Sequence, residues 1–200
     1  MNDSQWDAVS YWALAICWGL FTVVWIAGAV RNARLGLSAR QRLRRHRYVA
    51  VAVLAVAVPL IDLTPGRVWA PLTLSAEWAR AAGLVLLVAG AAFTLWARGA
   101  LGAMWSSAVQ IKSGHELRTD GPYAVTRHPI YTGLLAMVAG SVLVTEVGSG
   151  LVLFVAAVVL LEAKMRGEER LLSETFDGAY ERYRAEVPRL VPGVRPMRRG

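Results

Sequence analysis

The stretch YWALAICWGLFTVVWIAGAV, from Tyr11 to Val30, holds twenty consecutive residues without a charged side chain. A helix of about 20 apolar residues crosses the hydrocarbon core of a bilayer, so this stretch predicts a transmembrane helix. Two acids, Asp3 and Asp7, precede it and a basic cluster follows it, which is the reverse of the charge order in a secretory signal peptide. The composition agrees with a membrane protein, because 56% of the 200 residues are hydrophobic and occur in blocks.

Four further apolar blocks follow, at 48–63, about 78–96, about 130–147 and 151–161. The last two are short and are joined by a Gly-Ser-Gly turn, which predicts a helical hairpin. If the N-terminus lies outside, the inner segments hold 20 of the 22 Lys and Arg residues, as expected for cytoplasmic loops. The sequence therefore predicts an all-α integral membrane protein with about five transmembrane helices and a cytoplasmic C-terminus.

The net charge of +8 comes almost entirely from arginine. Seven arginines and no acid lie between residues 31 and 47, and we interpret this cluster as a topology signal rather than as a specific lipid head-group site. The lipid bilayer is the expected partner of so apolar a basic chain, and no nucleic-acid partner is expected. The preference for arginine over lysine is typical of a GC-rich genome and favours a bacterial inner or plasma membrane. The lone Cys17 lies within an apolar block and is expected to be a packing residue.

We expect one membrane domain, with residues 1–97 forming the first three helices and residues 98–200 carrying the functional groups. The most unusual polar stretch is GPYAVTRHPIY, residues 121–131. Gly-Pro predicts a turn, and His128-Pro129 predicts a helix start, whose free N–H groups suit an anion such as a carboxylate. His128 and Tyr131 are three residues apart and should share a helix face.

A second polar segment continues the last apolar block and contains Lys164, Arg166 and Glu168. One interpretation is an ordinary helix surface with i,i+4 ion pairs, and the other is that some of these charges face a polar cavity at the membrane surface. The sequence leaves both open. Three histidines and one cysteine without ligand-like spacing predict no metal site, and neither a nucleotide-binding glycine motif nor a nucleophile elbow is present.

Three separated motifs carry a family resemblance: LGAMWSS at 101–107, GHELRTDGPYAVTRHPIYTG at 114–133, and EERLL-x3-F-x3-Y-x2-Y-x3-VPRLVP from residue 168 onward. With the hairpin between them, they resemble the isoprenylcysteine carboxyl methyltransferase family, within the phospholipid methyltransferase superfamily. The resemblance covers roughly the C-terminal half. It implies S-adenosylmethionine as the methyl donor, bound in a cytoplasmic pocket that the C-terminal segment closes.

The resemblance also implies site residues. A basic residue before the glutamate pair would face the acceptor, and either Lys164 or Arg166 could hold this position, with Glu168 completing the catalytic set. Ala124 stands where the family commonly has an aromatic residue or Arg. The cofactor contacts carried over by position are Gln110, His115, Glu116, Leu117, Arg118, Tyr123, His128, Pro129, Ile130, Tyr131 and Glu168.

The chemistry of the cofactor fits these residue types. S-adenosylmethionine carries a carboxylate, which His128 could hold, and cationic groups suited to Glu168 and to aromatic faces. The acceptor should be an amphiphilic or prenylated molecule that presents an oxygen, sulfur or nitrogen nucleophile at the cytoplasmic face. Two other functions remain open: an NADPH-dependent membrane reductase of related architecture, and a non-catalytic membrane scaffold.

Overall fold

The computed structural model describes residues 2–34, 61, 65–74, 76–102, 117–145, 147–176 and 178–193. Within these ranges the chain is helical, and its only extended pairing is a single bridge between Thr73 and Val147, so the all-α prediction is confirmed for them. The predicted block 48–63 lies almost entirely outside the described residues. The helices are α1 (Asp3–Arg34), α2 (Gly66–Trp69), α3 (Glu77–Leu101), α4 (Pro122–Val125), α5 (Pro129–Val144), α6 (Gly150–Thr175) and α7 (Ala179–Glu186).

Two helices are long and apolar enough to cross a membrane, at Asp3–Arg31 within α1 and at Glu77–Leu101. A shorter apolar helix, α5, follows them. Large apolar side chains cover the outside of α1, including Ile16, Leu20 and Val23, each at least half exposed. So continuous an apolar surface is suited to lipid rather than water. The count of five spans stays a prediction.

Helices α3 and α5 pack backbone to backbone through two facing pairs of glycines, seven residues apart on each helix. A Cβ placed on Gly90 would lie 2.7 Å from the Gly133 carbonyl oxygen. A Cβ on Gly140 would lie 2.6 Å from the Gly83 carbonyl oxygen. Such small residues let membrane helices approach closely, because nothing larger than hydrogen fits between the backbones.

Helix α1 completes the apolar core on one side of this pair. Cys17 packs in a buried cluster with Leu87 and Met137, which confirms the packing role expected for the cysteine. The indole N–H of Trp18 donates to the Ser141 hydroxyl oxygen at 3.0 Å. This bond ties α1 to α5 at a depth where an unpaired polar group would be costly.

The predicted hairpin is confirmed, because α5 and α6 are joined by a short turn and pack against each other. The 26-residue α6 is apolar in its first half and charged in its second half. The charged half lies beside the start of α5, and the chain then returns through α7 to the same place. Residues 187–190, here named the C-terminal strap, cross the start of α5.

Candidate active site

The start of α5 is shaped by its local sequence. Gly121 has a φ of +58°, a conformation that favours glycine, and it directs the chain into the short helix α4. His128 then caps α5, and Pro129 occupies the first turn as predicted. The rings of His128 and Tyr131 stack at 5.6 Å between centroids, which confirms that they share a face.

Glu168 of α6 faces this pair of rings. The Tyr131 hydroxyl donates a hydrogen bond to its carboxylate, and His128 Nδ1 lies 3.7 Å from its other oxygen. The Glu168 side chain is 19% exposed, whereas His128 is buried. Lys164, one helical turn earlier, places its Nζ 5.1 Å from the centroid of the Tyr131 ring. An acid, two stacked rings and a cation therefore meet where α5 begins.

The neighbouring Glu169 has different partners. One of its carboxylate oxygens lies 3.1 Å from Arg127 Nη2, 3.1 Å from His128 Nε2 and 3.2 Å from Arg189 Nε. Arg127 is buried, and its Nη1 also donates to the carbonyl oxygens of Arg184 at 2.9 Å and Val187 at 2.7 Å. The carboxylate of Glu169 is thus engaged from three sides.

The C-terminal strap is bound to the start of α5 through its backbone. The amides of Arg127 and His128 donate to the carbonyl oxygens of Pro188 and Arg189, at 2.9 and 3.2 Å. The Thr132 hydroxyl donates to the Leu190 carbonyl oxygen at 2.8 Å. The strap therefore uses donors at the helix start that a ligand would otherwise reach.

Charge and burial set the protonation of the site. Burial by itself would raise the pKa of Glu169, but the hydrogen bond and charge of His128, together with Arg189 and Arg127, outweigh it and lower the pKa to about 2. Burial, with a smaller contribution from the negative Glu168, raises the pKa of Tyr123 well above its ordinary value. At neutral pH the carboxylate of Glu169 is therefore ionised and the Tyr123 phenol is protonated.

Most of the described site residues expected from the sequence come together. His128, Tyr131, Glu168 and Lys164 meet where α5 begins, and Tyr123 of α4 is close enough for the charge of Glu168 to contribute to its raised pKa. Pro129 is buried beneath it, and Ile130 packs against the Tyr131, Leu161 and Met165 cluster.

Six other expected residues either lie away from this place or fall outside the described residues. The Arg118 side chain is 41% exposed and pairs with Asp120 at 3.0 Å, beside a half-buried Leu117. The Arg166 side chain is 74% exposed and pairs with Glu162 at 2.8 Å, so the ordinary surface interpretation fits this residue. The remaining expected contacts, Gln110, His115 and Glu116, lie outside the described residues.

The role expected for His128 toward a carboxylate of the cofactor stays a prediction. Both of its ring nitrogens already face carboxylates of the chain, Glu169 on one side and Glu168 on the other. Two acids from α6 thus lie beside the start of α5, where the helix dipole favours negative charge.

Sequence reasoning missed Arg127, Glu169 and Arg189 as members of this network. Each stands inside a quoted motif, but arginines near a membrane were interpreted as topology signals. For the choice between the two basic residues of α6, the helical period was a usable signal. Lys164 and Glu168 are one turn apart and share a face, whereas Arg166 points away from both.

The described residues form a helical protein with two candidate membrane helices and a polar cluster where α5 begins. The family model described as isoprenylcysteine carboxyl methyltransferase (ICMT) matches residues 83–174, from α3 to the end of α6. This match confirms the predicted resemblance to the family over these residues. A search of the curated proteins finds no match.

The family assigns a coarse function, which is membrane methyltransferase activity. It supports neither the reductase nor the scaffold alternative. The match ends before the C-terminal strap, so the role of the strap rests on the contacts described above.

Proposed function

We propose that this protein transfers a methyl group from S-adenosylmethionine to an anionic, amphiphilic acceptor at the cytoplasmic membrane face. The observation that carries the proposal is the environment of Glu168. Its carboxylate is partly exposed and lies beside the stacked rings of His128 and Tyr131, and Lys164 places its Nζ 5.1 Å from the centroid of the Tyr131 ring. A cationic cofactor and an anionic acceptor thus each have a complementary group within one site.

The two neighbouring glutamates are suited to different tasks. Glu169 is already surrounded by Arg127, Arg189 and His128, so a further cation would gain little from it. Glu168 receives a hydroxyl donor from Tyr131 and retains an exposed fraction of its surface. We therefore assign the sulfonium or ammonium of S-adenosylmethionine to Glu168, with aromatic faces adding cation–π attraction.

The two candidate basic residues also separate. Lys164 lies over Tyr131 inside the site, whereas Arg166 is exposed and paired with Glu162. We assign the acceptor to Lys164, whose positive charge suits a carboxylate or phenolate. The first half of α6 carries exposed apolar side chains, among them Leu153, Val155 and Val159, along which a lipid-like tail could approach from the bilayer.

When bound, S-adenosylmethionine supplies an electrophilic methyl group, which a nucleophile attacks in line with the carbon–sulfur bond. The chain needs no nucleophile of its own for this reaction. Its residues have to hold donor and acceptor in line and exclude water, which are the main sources of rate enhancement for such a transfer. Lys164 would orient the nucleophile, and Glu168 would fix the positive end of the donor.

The proposal is tested by incubating the detergent-purified protein with methyl-labelled S-adenosylmethionine and a total lipid extract from the host. Mass spectrometry should detect a labelled product that is much less abundant with Glu168→Gln when the concentration of S-adenosylmethionine is below saturation. A parallel titration with NADPH serves as the control for the reductase alternative. Binding of NADPH but not of S-adenosylmethionine would contradict the proposal.

A further inference from the structure

Glu169 has no role in the methyl transfer proposed above, yet it is the centre of a densely bonded polar cluster. It gathers the end of the α4–α5 connection, the charged half of α6 and the C-terminal strap around one carboxylate oxygen. The side chains of Arg127, His128 and Glu169 are 6%, 5% and 13% exposed. Removing one partner from such a cluster leaves the others unpaired in a poorly solvated place.

The geometry around His128 links this cluster to the cofactor side. With Nε2 held 3.1 Å from Glu169, the imidazole has Nδ1 directed at Glu168. The same ring stacks on Tyr131, whose hydroxyl donates to Glu168. Rotation of the imidazole would therefore disturb both neighbours of the Glu168 carboxylate.

We propose that Glu169 is a positioning residue, which holds His128 and the C-terminal strap so that Glu168 is presented to the cofactor. This inference rests on the proposed function. Glu169 does not itself touch the cofactor, and it acts through His128. Its low pKa agrees with the geometry, since the carboxylate stays charged throughout the physiological range.

Within the strap, Arg189 shares its contacts between two acids of α6. Its Nη1 donates to both carboxylate oxygens of Glu162, at 2.9 and 3.0 Å, while its Nε faces Glu169. Glu162 binds the same strap arginine and lies on the same helix, but its other partner is the exposed Arg166 rather than His128. Glu162→Gln is therefore a matched control, because it weakens the strap without touching the histidine.

The test is calorimetric titration of S-adenosylmethionine into the full-length protein in detergent. We compare the wild type with Glu169→Gln, His128→Ala, the double variant and Glu162→Gln. Glu169→Gln should raise the cofactor Kd about tenfold, as expected for losing one charge-assisted contact. The double variant should bind no more weakly than His128→Ala alone, because both substitutions remove the same link. Glu162→Gln should raise the Kd less than Glu169→Gln does, because it weakens the strap but leaves the contact between Glu169 and His128 in place.

An unchanged Kd in Glu169→Gln, or losses that simply multiply in the double variant, would overturn the inference. Should Glu169→Gln fail to fold, Glu169→Asp keeps the charge but shortens the reach, and it should show the same rise and the same non-additivity. A wild-type protein that binds no S-adenosylmethionine would instead overturn the proposed function.

Hydrogen exchange then tests the positioning without any cofactor. The amides of Arg127 and His128 donate to the strap, so Glu169→Gln should speed their exchange more than Glu162→Gln does. Equal exchange in the two variants would refute the positioning role.

Discussion

Replacing Glu168 by Gln tests the charge of the candidate site while keeping its shape. The glutamine oxygen can still accept the hydrogen bond from Tyr131, so the chief loss is one negative charge. Two unit charges about 4 Å apart attract by roughly 4 kcal/mol at an effective dielectric of 20. Because Glu168 is 19% exposed and must be desolvated on binding, the net value should fall to roughly 1.5–3 kcal/mol, as for a hydrogen bond to a charged group.

This free energy corresponds to a roughly tenfold to hundredfold increase in the Kd of S-adenosylmethionine. Isothermal titration calorimetry on the detergent-purified variant measures it directly. Glu174→Gln is the matched control, because this exposed glutamate lies near the end of the same helix. The control variant should bind S-adenosylmethionine with the Kd of the wild type. A Glu168→Gln variant that binds the cofactor within twofold of the wild type would refute the assignment of Glu168 to the cation.

Further predictions concern the acceptor, the packing, the pH response and the topology. Lys164→Met should lower turnover with nearly unchanged cofactor Kd, whereas Arg166→Met should keep wild-type turnover; the reverse result in a methylation assay would exchange their roles. Gly140→Ala should destabilise the protein by about 1–3 kcal/mol in thermal unfolding, because the new Cβ meets the α3 backbone, while Gly99→Ala has open space and should not. The pKa of Glu169 falls from about 4.5 to about 2 on folding, so its stabilising effect is complete above pH 4.5 and should be lost as the pH falls toward 2. Acid unfolding of Glu169→Gln should lack this dependence on pH. If the variant and the wild type lose stability in the same way as the pH falls, the low pKa of Glu169 is contradicted. Cysteine placed at position 40 should be labelled only from the cytoplasmic side, and labelling from outside would contradict the predicted topology.

Local sequence was sufficient for the features that depend on neighbouring residues. The apolar blocks predicted α1, α3 and the α5–α6 hairpin, because an uncharged run of this length has few alternatives to a buried or membrane helix. His128-Pro129 predicted the start of α5, because proline fits the first turn of a helix and disfavours a helical conformation in the residue before it. The separated motifs predicted the family that the comparison confirms.

The facing glycines were beyond sequence reasoning. Glycines seven residues apart occur on both α3 and α5, but spacing alone does not show which helix each pair meets. Only the packed structure brings Gly90 against Gly133 and Gly83 against Gly140.

Which groups face the site was likewise decided by tertiary structure. Glu168 and Glu169 are adjacent, and successive residues of a helix point about 100° apart, so the two carboxylates share His128 but otherwise meet different partners. The sequence determined that an acid pair, a lysine and an arginine lie on one helix. The packing of α6 against α5 and the return of the C-terminal strap determined the rotation of that helix. This rotation directs Glu168 and Lys164 toward Tyr131, Glu169 toward the arginines, and Arg166 toward the surface.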